Sequence, residues 1–93
     1  MDITPDTRLV RAEDRYLSNP VGDDIMLLDL VTGDYVALNE PAARIWDMLR
    51  EPRTVRELTD ALGLLFDVDP ESCLVDTLDF LRSIDALRLL SKA

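Results

Sequence analysis

Ninety-three residues suffice for one domain, which should bury roughly 60–65% of the surface its unfolded chain exposes. Nineteen acidic against ten basic residues leave a net charge of −9, which argues against a nucleic-acid binder, since neutralising phosphates takes clustered Lys and Arg. The absence of His removes the commonest general base and zinc ligand, and the lone Cys73 excludes an internal disulfide.

Met1 to Asp14 is polar, with Pro5 and scattered charges, and reads as a flexible arm with a short ordered piece near Leu9 and Val10. No apolar segment follows a basic start, so neither a signal peptide nor a membrane span is expected, and the expected compartment is the cytoplasm. The folded domain is expected over residues 15–93. Arg15 to Ser18 reads as a first strand, and the turn formers from Asn19 to Asp24 as a connection.

Ile25 to Leu30 is an apolar run bounded by turn residues and too short for an isolated helix, hence a strand. Val31-Thr32-Gly33-Asp34 is a turn, with Gly33 free to adopt positive φ. Tyr35 to Leu38 returns as the antiparallel partner. Its alternation assigns Val36 and Leu38 to the core, and Tyr35 and Ala37 to the opposite face.

Asn39 caps a first helix, with Glu40 and Pro41 suited to its first turn. Ala42, Ile45, Trp46 and Leu49 make one apolar stripe. Thr54 and Glu57 form a capping-box signature for a second helix, whose buried stripe is Val55, Leu58, Leu62 and Leu65. Phe66 and Val68 plug the connection that follows. Asp69-Pro70-Glu71 opens a third helix. Leu74, Leu78 and Leu81 form its main stripe, and Cys73, Thr77, Phe80 and Ile84 a second one beside it. Together they span roughly 160°, more than one core contact needs. Leu87 to Leu90 fits either a terminal strand or the helix tail. Strands followed by three helices define an α+β fold.

Sites for chemistry are few. Asp76 and Asp79 are spaced i and i+3, but both are placed on the polar face, as solvated carboxylates. Cys73 sits in a first helical turn, where the dipole favours a thiolate, yet no His activates it and its stripe is apolar. The three glycines are isolated, so no phosphate-cradling motif exists. The second stripe of the third helix has two readings. Either that helix is sandwiched on both sides, or Phe80 and Ile84 overhang a groove beside the hairpin, where an extended peptide can add a strand.

The chain resembles the PqqD family of peptide-recognition proteins. The residues that carry the resemblance are Leu28-Asp29, Thr32-Gly33-Asp34-Tyr35, Leu38-Asn39, Ile45-Trp46, Thr54-Val55, Glu57-Leu58 and Phe80-Leu81, spread from about Asp24 to Leu90. The resemblance implies a winged-helix-like unit with a three-stranded antiparallel sheet and three helices. It further implies a non-enzymatic chaperone, without cofactor, that binds the leader of a ribosomally made precursor peptide. The leader would lie along Asp34, Tyr35, Val36, Ala37 and Leu38, against Cys73, Thr77, Phe80 and Ile84. Members dedicated to pyrroloquinoline quinone synthesis usually carry an Ala-Pro-Glu-type segment where this chain has Leu28-Asp29-Leu30. The Thr-Gly-Asp-Tyr version is more similar to recognition elements of lasso-peptide clusters. The implied enzyme partner is accordingly a radical SAM protein, or a leader peptidase with a cyclase. Two rival readings are a winged-helix DNA binder, disfavoured by the acidic third helix, and a self-associating structural module.

Overall fold

The computed structural model of the protein describes residues 2–93. In chain order the elements are β1 (Arg8–Arg11), β2 (Tyr16–Val21), β3 (Asp24–Asp29), β4 (Tyr35–Leu38), α1 (Glu40–Met48), β5 (Arg53–Thr54), α2 (Val55–Leu65), α3 (Pro70–Ala86) and β6 (Leu90–Lys92). The strands make two antiparallel three-stranded sheets, ordered β2-β3-β4 and β5-β1-β6. The expected α+β arrangement of a three-stranded sheet and three helices is present. The second sheet is an addition that the sequence did not disclose.

That second sheet corrects the expectation of a flexible arm over residues 1–14, of which Met1 lies outside the described residues. Leu9 is fully buried in β1 and Ile3 nearly so. β1 is held on both sides, by Arg53–Thr54 and by Leu90–Lys92. A polar segment with only two or three apolar anchors gives no periodic signal, and its partners lie some forty to eighty residues away in the chain. Leu87 to Leu90 is neither reading as a whole: Leu87 and Arg88 form the turn that ends α3, and only Leu90 enters β6.

The hairpin of β2 and β3 is longer than expected. Asn19-Pro20-Val21 belongs to β2, pairing with Met26, Ile25 and Asp24, and only Gly22-Asp23 makes the turn. Gly22 has φ +64°, the conformation a two-residue hairpin favours at its first position. Pro20 is tolerated because β2 is an edge strand. Gly33, at φ +80°, supplies the corresponding freedom in the β3–β4 turn.

The caps are those expected. Asn39 Oδ1 accepts the Ala42 N–H at 3.2 Å, and Asp69 Oδ2 accepts the Ser72 N–H at 3.0 Å. Thr54 and Glu57 form the reciprocal capping box. α3 ends as Leu89 N–H reaches back to Ile84 O at 3.1 Å, with Arg88 in between at φ +61°. The core runs through both sheets and all three helices, with Leu9, Leu27, Trp46, Leu49, Val55, Leu58 and Leu81 fully buried. Each such side chain contributes about 1.5–3 kcal/mol by leaving water. Leu65, expected in the stripe of α2, is instead exposed.

Candidate functional site

β4 is an edge strand whose only neighbour among the described residues is β3. The direction of its backbone groups follows from two bonds at the ends of the ladder. Asp29 N–H donates to Asp34 O at 2.9 Å, and Leu30 N–H donates to Arg15 O at 2.8 Å. Bonded and non-bonded pairs alternate along antiparallel strands. Val36 and Leu38 therefore bond their partners Leu27 and Ile25, while Tyr35 and Ala37 direct N–H and C=O away from the sheet. By the same alternation Pro20 is on the outward phase of β2. That opposite edge lacks a donor, whereas the β4 edge offers both of its own.

The turn that delivers β4 is set by a buried carboxylate. Asp29 is 4% exposed and accepts from Val31 N–H at 2.9 Å and Thr32 N–H at 3.3 Å. Its other oxygen lies 3.7 Å from Arg15. These amide bonds, the Val31 one foremost, hold its pKa below the ordinary carboxylate value, against the opposing effect of burial.

Beside the end of β4 opens a cleft of about 660 Å³. Ala37, Leu38 and Asn39 form one wall, and Pro41, Ala42 and Ile45 of α1 continue it. Leu62 and Phe66 close the α2 side, with Val68 from the connection. Cys73, Asp76, Thr77 and Phe80 of α3 form the opposite wall, and Asp24 at the start of β3 completes the lining. The surface is mainly apolar, with two carboxylates and no Lys or Arg.

The expected site residues fall into three groups. Ala37, Leu38, Cys73, Thr77 and Phe80 are brought together in the cleft. Asp34, Tyr35 and Val36 do not line it. Asp34 ends the turn with its carbonyl bonded to Asp29, Tyr35 is 70% exposed on the opposite face of the hairpin with its backbone groups directed outward, and Val36 packs on the core with its backbone bonded to β3. Ile84 departs from expectation. It is 1% exposed, packs in the core and does not line the cleft, because one further turn of α3 carries the stripe beneath the second sheet. Asp76, expected on the solvated face with Asp79, is instead a cleft residue. Phe66 and Val68 also line it. Apolar residues in a connection were their sequence signal, although the surface they serve was not legible.

Among the described residues no group of three His, Cys, Asp or Glu side chains is placed to hold a metal, and no helix is long and apolar enough to cross a membrane. Fold and cleft define a small α+β domain with an open strand edge against a helix-walled apolar groove. The model of the coenzyme PQQ synthesis protein D (PqqD) family matches residues 24–90, and the chain belongs to that family. A solved structure of TbiB1 in complex with the TbiA(beta) leader peptide is similar, with a TM-score of 0.78 and 33% sequence identity, over 88% of this chain and 95% of that one. No curated protein matches the chain.

Proposed function

We propose that the protein binds the leader of a ribosomally synthesised precursor peptide as an extra strand on β4. The observation that carries this reading is the open β4 edge, with the Tyr35 and Ala37 backbone groups directed outward beside an apolar cleft. Main-chain bonds to that edge supply affinity, and the cleft selects alternate side chains. The similar TbiB1 structure, whose bound partner is a leader peptide, supports the same reading.

The protein acts as a binding partner rather than a catalyst. By holding the leader it raises the local concentration of the core segment at a separate modifying enzyme. That enzyme is a radical SAM protein, or a leader peptidase with a cyclase. Duplex DNA is disfavoured as ligand: Arg82 of α3 donates to Ile3 O at 3.2 Å, and Asp76, Asp79 and Asp85 crowd the same helix.

The test is an amide-detected NMR titration with synthetic leader peptides of ribosomally made precursors, the TbiA(beta) leader among them. Protection and shifts on Tyr35 and Ala37, together with Cys73, Thr77 and Phe80, are expected. Shifts confined to the second sheet, or none, would overturn the reading.

A further inference from the structure

We propose that the cleft selects a leader carrying a Lys or Arg two residues from an apolar side chain, with Asp76 and Asp24 reading the cation. This deepens the leader-binding reading and rests on it.

The first observation is a charge imbalance. Asp24 and Asp76 line the cleft, and neither has an ion pair or a side-chain hydrogen bond among the described residues. Five arginines are engaged elsewhere, Arg11 with Glu13, Arg15 with Asp29, Arg50 with Asp47, Arg53 with Glu51, and Arg56 with Asp6, and Arg44, which shares a second hollow with Asp24, does not line this cleft. No Lys or Arg lines the cleft with Asp76 and Asp24, so a cation on that wall is the complement a ligand can supply.

The second observation is independent of charge. Thr77 is 2% exposed and lines the same wall, next in sequence to Asp76, and its hydroxyl has no hydrogen-bond partner among the described residues. The side chain is nearly buried, yet its hydroxyl is not among the fully enclosed polar atoms, so it stays accessible to a ligand on that wall. It can donate to or accept from a ligand group.

The third is geometric. Along an added strand, alternate side chains stand on one face about 6.6–6.8 Å apart. A residue seated on Ile45, Leu62 and Phe66 thus brings the side chain two positions away onto the cleft as well. Lys and Arg suit that place. Their aliphatic stems lie along apolar surface such as Phe80 while the charged head reaches a carboxylate. An Asp or Glu there would meet two like charges.

The probe is a library of random nine-residue peptides displayed on phage, selected against the full chain and against its Asp76→Asn and Asp79→Asn variants. Both replacements are isosteric and lie at exposed positions, so folding is retained. Selection on the native chain should enrich Lys or Arg two positions from an apolar residue. Asp76→Asn should remove the basic preference and keep the apolar one, and Asp79→Asn should keep both. For one selected peptide, Asp76→Asn and Lys→norleucine should each weaken binding roughly tenfold, with little further loss when combined. Apolar enrichment alone, or a basic preference undiminished in Asp76→Asn, overturns the inference and leaves leader binding standing. Failure to enrich any peptide overturns both.

Discussion

Asp29 holds the Val31 amide at 2.9 Å from within the hairpin, so a nearly buried carboxylate sets the turn that places β4. Its pKa lies below the ordinary 3.8, chiefly because of that amide. The folded state therefore releases the proton more readily than the unfolded chain. The stabilisation is complete above the ordinary value and disappears as pH falls through the lower, folded one. Glu57, lowered by the Thr54 amide, acts in the same direction. Thermal midpoints should drop as pH falls below about 4. Asp29→Asn should melt earlier at pH 7 and show a flatter acid limb. An unchanged acid limb would mean that Asp29 contributes nothing to it.

Ile84 and Phe80 lie one helical turn apart on α3, yet only Phe80 lines the cleft. Ile84→Ala should cost about 2–5 kcal/mol in chemical denaturation, because it empties a closed part of the core. Phe80→Ala should lose less stability than Ile84→Ala and more of the affinity for a leader. If calorimetry found Phe80→Ala the more destabilising of the two, its side chain would belong to the core rather than to the ligand surface.

The Thr77 hydroxyl gives a test in which stability and affinity separate. Thr77→Val keeps the shape and removes the polar group. The free protein should melt at about the same temperature, because the hydroxyl makes no hydrogen bond among the described residues that the methyl would lose. Leader binding should weaken several-fold by isothermal titration. Equal affinity in the two proteins would show that the hydroxyl takes no part in recognition.

Most of the fold's local grammar was legible. The caps at Asn39, Thr54 and Asp69 and the alternation of Val36 and Leu38 are short-range signals, and the structure has each of them. What escaped was long-range. β1 needs Arg53–Thr54 and Leu90–Lys92 to become a strand, and nothing near Leu9 announces them. α3 shows the same limit at finer scale. Periodicity located two apolar stripes, but which faced the core depended on how the helix is rolled. Cys73, Thr77 and Ile84 turned out more buried than Leu74 and Leu78. The place of Asp76 in the cleft follows from that same roll.

Arg88 offers a stabilising change away from the cleft. It occupies a left-handed conformation at φ +61°, where α3 closes with Arg88 N–H donating to Asp85 O at 2.8 Å and Leu89 N–H to Ile84 O at 3.1 Å. Glycine is the residue this helix ending favours. Arg88→Gly should raise stability by about 0.5–1 kcal/mol, less the added entropy of the unfolded chain. A melting point at or below that of the native protein would show that the side chain's own contacts outweigh the backbone strain.

Two adjacent prolines separate the strand's inner duty from its outer one. The ladder phase assigns Val36 N–H to β3 and Ala37 N–H to the open edge. Val36→Pro removes a bond that holds β4 in the sheet, so it should destabilise the hairpin whether or not peptide is present. Ala37→Pro removes a donor that faces outward, a place where edge strands accept proline. It should leave the amide signals of β3 nearly unchanged and weaken leader binding roughly tenfold, the loss of about one net main-chain hydrogen bond. Amide exchange of β3 and a binding titration on each variant decide the matter. If Ala37→Pro kept full affinity with the sheet intact, the leader would not bond this edge, and the cleft alone would have to account for recognition.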